Sequence, residues 1–414
     1  MWFVRSSPPG AEVNPMDLCI SIAVIAFLIQ LRALFVLRPA RLVGDENEYA
    51  RDPASPPQAL WVRTPLFGVW VRVCTWAAGG RALGPRVANS ALSAATVGLV
   101  AHEIQRAAGP IPALIGGALI IASLERAVLS VHLWPDIAMG LLWLICLSII
   151  GTPDPLQPLW LSLVGGVALG IRVEGAAPWL LCLLAVLTLP GASFGWILAA
   201  TALSLTIPWV YILWNGRTLG IWRLDTTTRF NTQVALEDAT SRATTVSAVM
   251  RQTAQQLRGG IADRVPAQSP SLKALLPRVA ARWRLLLGPE TFVSQVLCAN
   301  DTGLYHAGHT LLRTPVGQIN LRHGFSAMFA AALVVLPLAQ PLSIAVLALM
   351  ILIYGGVVSR SRYRMAILPL ITVQAVTGWH RVWDQGIGSG LVWGLALGAV
   401  FAALLVFAPR LDET

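Results

Sequence analysis

Residues Leu18 to Leu37 form an apolar run broken only by Gln30 and Arg32 near its end, and similar runs recur along the chain. A helix needs about 20 apolar residues to cross the hydrocarbon core of a bilayer, so the run reads as a membrane span. Further runs cover Pro65–Ala78, Val87–Ala101, Ile111–Leu124, Val128–Ile150, Leu159–Leu189, Phe194–Trp214, Phe325–Leu338, Leu342–Val358, Met365–Gly378 and Ile387–Phe407. The pattern predicts an all-α polytopic membrane protein with about eleven transmembrane helices, several of them short. Only 12% of the residues are charged, against roughly 25% in soluble domains. That deficit excludes a soluble globular enzyme, and 35 Gly with 27 Pro are tolerated where helices pack in lipid.

Composition then divides the chain. Residues 1–16 read as a cytoplasmic tail before a retained signal anchor that begins at Asp17, with Met16 as an alternative start. Residues 17–214 form a membrane module. In it Leu159–Leu189 is too long for one simple span, and Arg172, Glu174 and Pro178 divide it into two half-helices. Residues 215–323 are polar and contain no long apolar run; they read as an extracytoplasmic, mainly helical insert. Within it Ala243–Leu257 and Leu272–Leu287 have helical periodicity, the second setting Arg278, Arg282 and Arg284 against Leu275, Val279 and Leu285. That pattern suits a helix at a membrane surface or one packed on the protein. Residues 324–414 supply the last transmembrane helices.

Orientation is read from short loops. Arg72, Arg81 and Arg86 surround the turn after Pro65–Ala78, and no acid occurs between residues 66 and 102. The excess of basic residues predicts a cytoplasmic turn. Loop 38–64 then faces outward, and by alternation so does the insert.

The formal charge of +10 comes from 30 basic and 20 acidic residues, with Lys273 as the only lysine. Scattered arginines favour phosphate groups of lipids or of a phosphorylated substrate and lack the clustering of a nucleic-acid arm. Cys19, Cys74, Cys146 and Cys182 sit in apolar runs as small hydrophobes, without disulfide or zinc spacing. His306 and His309 have the spacing of a metal pair, but Asp301 is the only acid near them and they read as loop histidines. No Walker loop or dinucleotide fingerprint is present.

Loop 38–64 carries the densest chemistry: Asp45, Glu46, Glu48 and Asp52 lie among Arg38, Arg41, Arg51 and Arg63. Carboxylates just after a helix C-terminus are disfavoured by its dipole unless compensated. The arginines either pair with them in a solvated loop or hold a phosphate beside them. Asp136, after Pro135 and four residues from His132, begins a helix as a cap or as a second site acid. Arg172 and Glu174 are two residues apart and do not face each other on a regular helix. They mark either an unwound segment lining a cavity or a short loop between half-spans. Arg360, Arg362, Tyr363 and Arg364 precede a later helix as phosphate ligands or flank charges.

These residues support a resemblance. A first helix ending in Gly44-Asp45-Glu46 followed by Tyr49, then Arg63-Thr64-Pro65-Leu66-Phe67, resembles the integral-membrane glycosyltransferases of the GT-C class. The nearest likeness is to protein O-mannosyltransferases and the aminoarabinose transferases that act on lipid A. Arg86 and Ser90 match an Arg-x-x-x-Ser helix entry, Asp136 an acid opening a later helix, and Ser361-Arg362-Tyr363-Arg364 a basic-aromatic turn. The likeness covers the first half of the chain well and the last hundred residues loosely.

The resemblance implies transfer of a sugar, with inversion, from a polyprenyl-phosphate donor to a lipid, glycan or protein acceptor at the outer face of the plasma membrane. Asp45 is then the general base, with Glu46 sharing that role or orienting the acceptor. Arg63, Arg362 and Arg364 bind the donor phosphate, and Glu48, Tyr49, Asp136 and Arg172 bind substrate. No cofactor is firmly implied and a divalent metal is left open. Arg63 stands where the family commonly has Lys or another polar residue, a tolerable departure; Glu48 is a real one, because the lipid A enzymes carry a basic residue there, which points to a different sugar or acceptor. A transporter or lipid-linked sugar flippase is the competing reading, because broken helices and intramembrane charges serve it too; an inactive relative acting as an assembly partner is a third.

Overall fold

The computed structural model describes residues 15–37, 46–50, 63–152, 154–188, 194–220, 222–224, 272–289, 293, 314–338, 341–356, 361–386 and 389–407. Among these residues the regular structure is entirely helical. The α-helices are α1 (Pro15–Leu37), α2 (Glu46–Tyr49), α3 (Pro65–Ala77), α4 (Leu83–Ala108), α5 (Pro110–Ile121), α6 (Leu124–Ser130), α7 (Asp136–Ile150) and α8 (Gln157–Ile171). They continue as α9 (Ala176–Thr188), α10 (Phe194–Leu219), α11 (Leu272–Leu287), α12 (Pro315–Val334), α13 (Pro341–Gly356), α14 (Arg364–Gln385) and α15 (Ser389–Phe407). By length and composition Met16–Leu37, Phe194–Thr218 and Gly390–Phe407 each suffice to cross a membrane. The pair α5 and α6, bent by 64° at its break, makes a fourth candidate, and α7, α8 and α9 are shorter apolar helices.

Helices α1 and α4 pack antiparallel. The Cys19 thiol donates to Gln105 Oε1 at 3.1 Å and Gln30 Nε2 donates to Ser93 Oγ at 3.0 Å, so advancing along α1 means retreating along α4. The end of α1 and the start of α4 therefore share one end of the bundle, and α3 between them does not cross. Its 13 residues span only about 20 Å, short of the ~30 Å hydrocarbon core. It buries Phe67, Gly68 and Val71 on one face and exposes Val73 and Trp76 on the other. The chain then turns through Gly79 and Gly80, both at positive φ, where a side chain would be strained. This corrects the expected span Pro65–Ala78. It also removes the basis of the orientation argument, since Arg72, Arg81 and Arg86 lie at the same end as residues 46–50.

Of two further apolar runs, Leu159–Leu189 divides at Arg172 and Glu174 as expected, and Val128–Ile150 departs from expectation. Leu159–Leu189 is an antiparallel hairpin of α8 and α9: Gly165 lies against Trp179, and Leu161 and Cys182 share a buried cluster. Residues 172–175 are its tip. Val128–Ile150 is also not one helix, because the chain reverses at 131–135 between α6 and α7. At the far end of α7, Ser148 Oγ donates to Glu103 Oε1 of α4 at 2.8 Å.

Helix α12 starts at Pro315, well before the expected Phe325 and across the expected boundary at residue 323. Its polar first turns concealed it, and one of them has a structural task. Asn320 Nδ2 donates to Ala122 O at 3.0 Å, and its Oδ1 accepts from the Leu124 amide at 2.9 Å. Those are backbone groups left open by the bend between α5 and α6, and in lipid such groups require an internal partner. Helix α11 packs on the protein, with Ala281, Leu285 and Leu286 buried alongside Arg282 and Arg284. The other expected insert helix, Ala243–Leu257, lies outside the described residues.

Candidate functional site

The end of the bundle that receives α1 and emits α4 gathers the polar side chains. Short helix α2 packs against α3, where Tyr49 meets the Phe67 ring edge-on at 4.9 Å between centroids. This brings Glu46 onto the 131–135 connection. Glu46 Oε1 accepts the Leu133 amide hydrogen at 2.7 Å and lies 3.3 Å from Arg86 Nη1, while Oε2 lies 3.2 Å from His132 Nδ1. Arg86 and Asn89 hold the same connection from α4. Arg86 Nη1 donates to Val131 O at 2.6 Å, and Asn89 Nδ2 donates to His132 O at 2.6 Å and Ser130 O at 3.2 Å. Burial alone would raise the Glu46 carboxyl; contact with His132, Arg86 and the Leu133 amide outweighs it and holds the group below its usual range.

His132 stacks on Trp134, centroids 4.7 Å apart, and one step further the connection delivers Asp136 into the first turn of α7. Asp136 Oδ1 accepts from Arg172 Nη1 at 2.6 Å, and Arg362 Nε stands 3.9 Å from Asp136 Oδ2. The Arg362 guanidinium also lies over Trp134 at 5.0 Å and Tyr363 at 5.5 Å from the ring centroids.

Arg172 and Glu174 do pair. Arg172 caps α8 in an extended conformation, φ −151° and ψ 153°, and a single 3-10 turn follows over Val173–Gly175. Leaving the helix lets two residues two apart turn to each other. Nε donates to Glu174 Oε2 at 3.0 Å and Nη2 to Oε1 at 2.9 Å, a bidentate fork. Gly175 permits this tip, because a Cβ there would fall 1.9 Å from Ala168 O. The Arg172 guanidinium also lies 4.8 Å from the Tyr363 ring centroid. Arg63, beside Tyr49 at 5.6 Å, acts electrostatically on Glu174. Its neighbour Thr64 donates to Ile171 O at 2.6 Å, fixing the start of α3 to the end of α8.

The structure thus brings together Glu46, Tyr49, Arg63, Asp136, Arg172 and Arg362. Arg364 lies apart from them: residues two apart at a helix start point in different directions. Its Nε and Nη2 donate to Leu286 O and Leu285 O of α11 at 2.7 and 2.8 Å, and its Nη1 lies 3.6 Å from Glu125 Oε2. It caps the last turn of α11, where a cation suits the helix dipole. Asp45, His306 and His309 lie outside the described residues, as does the side chain of Glu48. Arg86, His132, Trp134, Glu174 and Tyr363 complete the cluster. The sequence marks Arg86 through its Arg-x-x-x-Ser spacing with Ser90 and His132 through its spacing to Asp136.

Chemically the cluster offers guanidiniums, carboxylates and aromatic faces at one helical end, groups able to pair with anionic and hydroxyl-bearing chemistry. Among the described residues no three His, Cys, Asp or Glu side chains converge on a metal position.

No protein-family model and no curated protein matches the chain. Among solved structures, ArnT from Cupriavidus metallidurans in the apo state is similar at 17% identity and a TM-score of 0.37, over 97% of this chain and 90% of that one. At that identity and score the likeness assigns neither a substrate nor a residue role to this chain.

Proposed function

We propose that the chain is a multi-pass plasma-membrane glycosyltransferase of the GT-C type. It moves a sugar from a polyprenyl-phosphate donor to a lipid, glycan or protein acceptor, with the polar end of the bundle facing outward. The observation that carries this reading is the gathering of Arg172 and Arg362 on Asp136, with Glu174 paired to Arg172 and Arg63 beside Tyr49, at the bundle end that also holds Glu46.

In this reading Asp45 takes the proton of the acceptor hydroxyl, whose oxygen attacks the anomeric carbon of the sugar. The bond to the phosphate oxygen breaks, and the electron pair leaves with the polyprenyl phosphate. Arg63 and Arg362 stabilise the negative charge gathering there. Glu46 fits the orienting role better than the base role, because both of its oxygens are engaged by Leu133, Arg86 and His132. Arg172, held by two carboxylates, keeps the α8–α9 tip against α7. Arg364 fits an anchor for α11 rather than a phosphate ligand, given its partners.

The test is sugar transfer from a purified polyprenyl-phosphate donor in detergent, where no compartment exists to transport across. Donor-dependent product supports the transferase. No product with any donor, together with substrate uptake into sealed vesicles, replaces it with the transporter.

A further inference from the structure

At the opposite end of the bundle a groove of about 850 Å³ runs between α5, α12 and α14, within the ~300–1,000 Å³ range of small-molecule pockets. Its floor is made by Gly324, Ala327 and Ala331 of α12. The nearest atoms to a Cβ on Gly324 would belong to Asn320 of its own helix, at 3.6 Å, an ordinary contact distance, so the floor is not crowded there. One wall is α5, from Pro110 to Leu119, and its outer residues Ile111 and Ile115 remain exposed on the apolar surface of the bundle. The other wall is α14, where Trp379 Nε1 donates to Ala331 O at 3.2 Å and ties the wall to the floor.

Polarity changes along the groove. Between Leu119 and Val376 its lining is apolar. Only at the helix-terminus end do His380 and Asp384 enter, paired at 3.3 Å, next to Trp383, which is 89% exposed. Tryptophans and polar groups at that level mark a membrane interface. The apolar wall from Pro110 to Leu119 is about 14 Å long, half of a ~30 Å hydrocarbon core and thus one leaflet deep.

We infer that this groove is a binding site for one acyl chain of a glycerophospholipid from the leaflet opposite the polar site, with the headgroup at His380 and Asp384. A soluble ligand would meet no polar group below the rim. A membrane-spanning helix from a second copy needs a seam about twice as long. A lipid has the matching profile, polar at the interface and apolar for one leaflet. The inference stands independently of the proposed activity.

The full chain is placed in nanodiscs of phosphatidylethanolamine and phosphatidylglycerol containing a phospholipid with a mid-chain diazirine, illuminated, and its adducts mapped by mass spectrometry. Adducts on residues 324–331 and 376–383 should exceed those around Val392 and Val400, exposed positions on α15, by roughly tenfold, the signature of a site about 1.4 kcal/mol better than bulk lipid contact. Ala327→Trp, which fills the floor, should remove that excess. The wild-type ratio decides the matter even if the variant fails to fold. Equal labelling of groove and α15 overturns the site. So does displacement of the label by polyprenyl phosphate but not by unlabelled phospholipid, or disulfide crosslinking of two copies through Ala327→Cys.

Discussion

The Arg86 guanidinium lies 3.3 Å from the Glu46 carboxylate, and both side chains are withdrawn from solvent. This pair joins the start of α4 to α2 across α3. Removing one member of a buried ion pair strands the other charge and typically costs about 3–5 kcal/mol. Arg86→Ala should therefore lower the Tm in detergent markedly, and adding Glu46→Gln should recover part of the loss. A variant as stable as the parent would show that the pair does not hold the loop.

The same contact has a pH signature. Glu46 is held below the usual carboxylate range, so its pairing stabilises the fold above the unfolded carboxyl value of about 4.3. That contribution is lost as pH falls through the depressed folded value. Among the described residues Arg86 and His132 are charged or titratable groups that face it. The Tm gap between the parent and Glu46→Gln should be constant above this range and close below it; a gap that widens on acidification would contradict the assignment.

If α3 lies along one end of the bundle, Ala50 and Arg81 are on the same side of the membrane. Single cysteines at these exposed positions, in a background without native cysteines, should both react with an impermeant thiol reagent from the same side. Labelling from opposite sides would restore α3 as a crossing.

Asp45→Asn should lower transfer by about 10²–10⁴-fold, the usual contribution of general-base catalysis, while leaving the Tm unchanged. Glu46→Gln should reduce turnover less and lower the Tm more. Turnover of Asp45→Asn close to that of the parent would remove Asp45 from the role of base.

Arg63 separates catalysis from stability. Loss of a donor group that stabilises transition-state charge costs about 3–4 kcal/mol in the barrier, whereas the contact of half-buried Arg63 with the Tyr49 ring contributes on the order of 1 kcal/mol to stability. Arg63→Ala should thus depress kcat strongly with little change in Tm, and Arg63→Lys should recover part of it by restoring charge without the planar fork. A variant with unchanged kcat and lowered Tm would assign Arg63 to the fold alone.

The sequence by itself determined that this chain is a bundle of apolar helices. It also marked most of the polar cluster, because charges such as Glu46, Asp136 and Arg172 are conspicuous where lipid penalises them. It misjudged how those helices are threaded. Pro65–Ala77 has the hydropathy of a short span, yet the Cys19–Gln105 and Gln30–Ser93 pairs put both its ends at one end of the bundle. Arg172 and Glu174 are poorly placed for contact on a helix, yet they pair because the chain leaves the helix at Arg172. Hydropathy records which residues avoid water, a property of each side chain. The direction in which a segment runs depends on contacts between residues far apart in the chain, and only the tertiary structure supplies those.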